Sequence, residues 1–395
     1  MLLNEDTRGV VTHLHHLEDL PLTHGPEGMR HAVLAAKHID HVIRSGQPSN
    51  SLTTKYDGSP ALVYGHHPRT KKFFVATKSA FNVTPKINYT HSDIDKNHGH
   101  SPGLASKLHY ALDHLPAASP RHGVFQGDMM FDHGDVTHHR GGSVSFNPNP
   151  SGLTYHAHGH EAEKVRRAKI GVVTHMKYHG SDIGKMHATP NVDHDAMAKH
   201  AHSDVYTVDP RHPIGHETKK NYLENHARRA MTHLAIAQRL HDRHGDQIHV
   251  ATKRHQGEGG HLVTYINHTV RTGEEPSVKG FQEHLYGKFN HLASKLKTDA
   301  GRKKYVELGV QHIQHVDTHG SAYTRLFGIH HHLAAAKNHL VTTLNSHQQF
   351  GHTHAGEAAN PEGYVAHTSS GPVKLVNRQE FSRRNFAGRD RGHAS

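Results

Sequence analysis

A chain of 395 residues with a formal charge of +11, 34% hydrophobic and 6% aromatic residues and no cysteine can bury a substantial core in two or three structural units. It excludes disulfides, zinc ribbons and thiol catalysis, leaving lysine, carboxylates, histidine and bound metal ions for any chemistry. Residues 1–11 carry charges where a secretory signal needs an apolar stretch, and no segment reaches 18 uninterrupted apolar residues, so a soluble cytoplasmic protein with no membrane partner is expected.

Residues 27–45 predict a helix, with Met29, Val33, Ala36, Ile39, Val42 and Ile43 on one stripe and Gly46 as its stop. After a loop, residues 52–55, 61–64 and 73–77 read as a strand and a hairpin, separated by turn formers that include Gly58, Pro60 and Pro68. Leu104, Leu108, Leu112 and Leu115 repeat at helical spacing up to Pro116. Residues 123–131 then form a strand interrupted by Gly127, and residues 170–173 another.

From 185 to 350 helical periodicity dominates, at 222–240, at Phe281, Leu285, Phe289, Leu292 and Leu296, and at 322–344. A linker at 351–361 leads to strand-like runs at 363–366 and 373–376, and the tail beyond them is basic, with five arginines in the fourteen residues from Arg378. The expected organisation is an α+β core in two parts, 1–184 and 351–378, carrying a large helical insertion at 185–350 and ending in a flexible basic tail at 379–395.

The positive charge suits a polyanionic partner, nucleic acid first, because cations that neutralise phosphates release condensed counterions. The 51 histidines invite a metal reading. They are scattered from His13 to His393, however, and short clusters such as His13, His15, His16 and His330, His331, His332 show no carboxylate pattern beside them, so compositional drift is the better explanation.

Lys55 follows a strand and precedes Asp57-Gly58-Ser59-Pro60, so it stands at a strand end beside a tight turn. A lysine attacks phosphorus only as the neutral amine, and at an ordinary pKa of about 10.4 fewer than about one in a thousand is neutral at pH 7. A nucleophilic lysine therefore needs a partly desolvated site near other cations.

Lys55-Tyr56-Asp57-Gly58 resembles the nucleotidyl-lysine motif of ATP-dependent DNA and RNA ligases and messenger-RNA capping enzymes. Later segments resemble that superfamily's further motifs in order: Thr77-Lys78-Ser79-Ala80-Phe81, Phe125-Gln126-Gly127-Asp128, Glu362-Gly363-Tyr364-Val365 and Val373-Lys374-Leu375-Val376. The resemblance covers 50–180 and 355–378, leaves the helical stretch uncovered, and is nearest to an uncharacterised bacteriophage branch, which would place the protein in host-cell cytoplasm.

It implies a ligase-type core of antiparallel sheets with flanking helices, ATP and Mg2+ as cofactors, and Lys55 as the AMP acceptor with Asp57 orienting the lysine or the metal's hydration shell. Thr54, Gly58, Lys78, Asp128, Glu362 and Lys374 would line the nucleotide, with Asp128 and Glu362 on the metal. The adenine contact would come from Tyr178 or His175. The sequence departs from the pattern at Pro60, where arginine is common, at Asp128, where glutamate is usual, and at Val376, in place of a second lysine for which Arg378 is the nearest substitute. Only about twenty residues follow Lys374, too few for the OB-fold usual in DNA ligases. Together with the Asp57-Gly58-Ser59 and Glu362-Gly363-Tyr364-Val365 versions of the motifs, this favours RNA over DNA strand ends. The alternatives are a capping-type guanylyltransferase and a ligase-like nucleic-acid-binding protein without activity.

Overall fold

The short apolar runs between 52 and 131 form strands where their alternation and turn residues place them. In a computed structural model, which describes residues 14–149, 152–378 and Glu380, the chain is mixed α and β with several sheets. It divides into two compact units. One comprises Gln47–Ile214 and Asn345–Gly371, and the other His15–Gly46, Gly215–Leu344 and the described residues from Pro372 onward.

The first unit is built on a six-stranded sheet. Its order is His187–Thr189, Ile170–His179, Gly123–Asp132, Ala61–His66, Phe73–Ala76, with Val205–Val208 parallel to the start of Ile170–His179. Ala61 faces Asp128 and His66 faces Gly123 in an antiparallel register. Period-two alternation gives this sheet two buried faces. Leu62, Tyr64, Val75, Phe125, Met129 and Val172 pack on the Pro102–Ala118 helix through Ala105, Leu108, Ala111 and Leu115. At about 1.5–3 kcal/mol for each large apolar side chain removed from water, this layer is a main source of the unit's stability.

On the other side, Phe131 and Met130 meet a five-stranded sheet ordered Glu357–Ala358, Gly351–His354, Thr154–Ala157, Val144–Phe146, Thr137–His138. Phe146 stacks on Tyr155 with ring centroids 5.4 Å apart and meets Phe131 at a tilt at 4.9 Å, and Phe350 closes the cluster edge-on. The expected linker at 351–361 is therefore corrected: Gly351–His354 is a strand paired with Thr154–Ala157, and its polar alternate residues reflect an edge-proximal position. Residues 187–208, expected to begin the insertion, add two strands to the larger sheet.

The second unit contains the helices Leu20–Ser45, Ala227–Thr252, His261–Thr272, Val278–Ser294, Asp299–Thr318 and Gly320–Leu344, with a short parallel pairing of His15 and His16 to Val373 and Lys374. The helix expected at 27–45 begins at Leu20, is broken at Gly25, and ends where Gly46 takes a left-handed φ of 69° and donates its N–H to Ile43 O. Only glycine enters that conformation without steric cost. Lys337 and Glu18, each 2% exposed, are paired at 2.5 Å in the interior. Arg378, the substitute for a second motif lysine, is bound to Asp19 at 2.8 Å and to Asn267. Apart from Glu380, the tail at 379–395 lies outside the described residues, as does His13.

Candidate functional site

Two motifs separated by some three hundred positions meet because their strands are neighbours. Leu52–Thr54 pairs antiparallel with Tyr364–Thr368, Thr54 opposite Tyr364, and Lys55 N–H donates to Gly363 O at 2.8 Å. This register sets the next side chains against one another: Lys55 Nζ forms an ion pair with Glu362 Oε1 in a partly buried recess, the two side chains 25% and 12% exposed.

The chain then turns across the end of the six-stranded sheet. Ser59 N–H donates to Met129 O at 2.9 Å and Met129 N–H to Pro60 O at 3.1 Å, which fastens the turn to the strand carrying Asp128. Gly58 is required by close approach, because a Cβ there would lie 2.6 Å from Asp128 Cβ and 2.7 Å from Met129 O. Asp57 is held from both ends. Its N–H donates to Tyr155 Oη at 3.1 Å, and its Oδ2 accepts from Asn149 Nδ2 at 3.2 Å.

Asp128 in turn lies 3.1 Å from His175 Nε2. His175 reaches it through a β-bulge: Gln126 pairs with Met176 and Gly127 with Thr174, so the ladder skips His175 and re-aims its ring. The three carboxylates converge electrostatically on Tyr155, whose hydroxyl pKa is raised first by burial and then by the fields of Asp57, Glu362 and Asp128. Thr54 is anchored behind the lysine, its N–H donating to Pro210 O at 2.8 Å and its Oγ1 3.3 Å from His212 Nδ1. Burial holds His212 down to about 3 and His367 to about 4, so both rings are neutral at pH 7.

A family model matches residues 11–389. The chain belongs to DUF6267, a family of unknown function. Neither curated proteins nor solved structures provide a match. In this DUF6267 chain Lys55, Asp57, Gly58, Asp128 and Glu362 are therefore brought together in one unit, with Thr54 behind them.

The remaining expected residues of the DUF6267 chain lie elsewhere. Lys78 is exposed and opens the short 3-10 turn Lys78–Phe81, capped by Thr77 Oγ1 accepting from Ser79 N–H. Its strand leaves the sheet at the end where Ala61 faces Asp128. Tyr178 is mostly buried, with its ring on Phe81 at 4.6 Å and its hydroxyl donating to Gln126 at 2.6 Å. Burial raises that hydroxyl to about 12. One edge of the ring borders a cleft of about 290 Å³ lined also by His66, His67, Lys71 and His122. Lys374 belongs to the helical unit, where it pairs across from His16.

Tyr155, Asn149 and His212 carry no motif signal, and the structure alone assigns them to the site. The carboxylates suit a hard cation. Carboxylate oxygens are the donors that Mg2+ and Ca2+ prefer.

Proposed function

We propose that this chain is an ATP-dependent nucleotidyltransferase of the polynucleotide-ligase type, which charges Lys55 with AMP and passes it to a 5′-phosphorylated strand end, RNA in preference to DNA, for sealing to a 3′-hydroxyl. The observation that carries the reading is the ion pair of Lys55 with Glu362, followed at once by the turn in which Gly58 abuts Asp128. Ordinary surface lysines and turn residues have no reason to converge in this way from three distant segments.

In the first step Lys55 gives up one ammonium proton to solvent, and its neutral Nζ forms a bond to the α-phosphorus as the bond to the pyrophosphate oxygen breaks, the second proton passing from the nitrogen to solvent. Phosphoryl-type transfer depends mainly on positioning and on charge stabilisation. Glu362 fixes Nζ by accepting from it, and Tyr155 and Asn149 fix the turn that carries Asp57. Asp128 and Glu362 would hold Mg2+ through its waters, and the ion when bound supplies neutralisation of phosphate charge. His175 orients Asp128. The preference for RNA rests on the Asp57-Gly58-Ser59 and Glu362-Gly363-Tyr364-Val365 motifs, and the nucleic-acid partner on the charge of +11.

Incubation of the full chain with Mg2+ and α-phosphate-labelled ATP or GTP tests the reading. Acid-labile label from ATP is expected; label from GTP alone would replace the ligase reading with a capping-type one, and label from neither would end it.

A further inference from the structure

In the helical unit three ligand-type side chains meet from separate segments. His15, His24 and Glu258 each place one donor atom within 4.8 Å of the other two. His15 Nε2 lies 3.0 Å from Glu258 Oε1, and the His15 and His24 rings meet edge to face with centroids 5.1 Å apart.

Each segment is fixed by its own backbone. His15 is held by parallel pairing opposite Val373. His24 precedes Gly25, whose φ of 55° breaks the Leu20–Ser45 helix. Glu258 sits between Gly257 and Gly259, both with positive φ, and Gly257 N–H donates to Leu22 O at 3.3 Å, tying this loop to the turn that carries His24.

Thr23 steadies His24, its Oγ1 lying 2.7 Å from His24 Nδ1 and within reach of Leu20 O at 3.1 Å and Asp19 O at 3.2 Å. With its proton turned to a carbonyl, that hydroxyl accepts from Nδ1–H, which leaves the lone pair on Nε2. Anchoring one imidazole nitrogen so that the other presents its lone pair is the arrangement that metal-binding histidines use.

We propose that His15, His24 and Glu258 form a binding site for a zinc-class divalent cation. Two imidazoles and one carboxylate are a borderline-soft set that suits Zn2+ over Mg2+. Three protein ligands leave a fourth position for water, and the Glu258 side chain, 55% exposed, leaves an entry path. The bound ion joins the segment at His15, the broken helix at His24 and the loop at Glu258, and so stabilises the folded helical unit by mass action.

The test uses the full chain purified without a histidine tag and stripped with chelator. Zn2+ is titrated by competition with a chromophoric chelator, and Co2+ serves as the spectroscopic probe. Wild type is compared with Glu258→Gln, His24→Ala and a control, His109→Ala, whose ring instead pairs with Asp95 at 3.0 Å. Wild type and control should hold one Zn2+ equivalent at least about tenfold more tightly than either site variant, with a Co2+ spectrum of four-coordinate type and a Zn2+-dependent rise in Tm that both site variants lose. Glu258→Gln changes a half-exposed side chain and keeps the test interpretable if His24→Ala folds poorly. Equal affinity and stoichiometry in wild type and Glu258→Gln would overturn the proposal, as would the absence of a tight equivalent in wild type.

Discussion

Lowering the pH from 7 to 5 should destabilise the helical unit, and His255 shows why. Its ring is fully buried and both of its nitrogens are engaged. Nδ1 lies 2.6 Å from Tyr323 Oη, which also reaches Ala251 O at 3.1 Å, and Nε2 lies 2.7 Å from His312 Nδ1. A second ring proton has to enter across a contact already made. Burial, with His312, His261, Arg254 and His315 adding to it, holds the pKa down to about 3 against an ordinary 6.5. Below pH 6.5 the unfolded chain binds a proton that the folded ring refuses. The contribution is therefore fully present above pH 6.5 and is lost as the pH falls toward 3.

Between pH 7 and 5 the loss is about 1–2 kcal/mol for this ring. His261, His284 and His312, held near 4 chiefly by burial, act in the same direction. Hydrogen exchange of peptides from 227–252 and 299–344, corrected for intrinsic rates, measures the effect locally. Protection should fall at pH 5 in wild type, and the fall should shrink in His255→Gln, which keeps polar contacts without titrating. An undiminished fall in His255→Gln would refute the reasoning.

Lys337→Met leaves Glu18 charged and alone in the interior and should cost about 3–5 kcal/mol in denaturant unfolding, whereas Glu18→Leu with Lys337→Met should recover most of it. No recovery in the double variant would contradict the pair as the cause. Gly58→Ala pushes the turn away from Asp128 and should lower AMP transfer to the chain about ten- to a hundredfold with far-UV circular dichroism unchanged; wild-type transfer would show that the turn is not part of the site. Asp128→Asn should raise the Mg2+ concentration needed for half-maximal labelling, and an unshifted Mg2+ dependence would remove Asp128 from the metal's surroundings.

Much of the first unit was legible because its strands are short, alternating and punctuated: Leu62 to Tyr64, Phe73 to Ala76 and Val124 to Phe131 lie where the pattern puts them. The strand beginning at Ile170 was read only to Val173, since Thr174 to Lys177 break the apolar run. In the structure those residues continue to His179, with the bulge that turns His175 to Asp128. The strand at Gly351–His354 looked like a linker because glycine and histidine mask a pairing partner two hundred residues earlier.

Histidine partners were hidden for the same reason. His330 meets Asp19 and His15 meets Glu258 across distances in sequence that no local pattern spans. The neighbourhood of Lys55 was legible where a motif marks each residue, as at Asp57, Asp128 and Glu362. It was illegible at Tyr155 and Asn149, which a fold brings in from unmarked positions. No helix among the described residues is long and apolar enough to cross a membrane, in line with the absence of a long apolar segment.

The most direct measurement is peptide mapping by mass spectrometry after incubation of the chain with Mg2+ and ATP, comparing wild type with Lys55→Arg. The account predicts an acid-labile AMP adduct on the peptide that contains Lys55, lost in Lys55→Arg while the circular dichroism spectrum stays the same. An adduct on any other residue, or none on a folded wild-type chain, would contradict it.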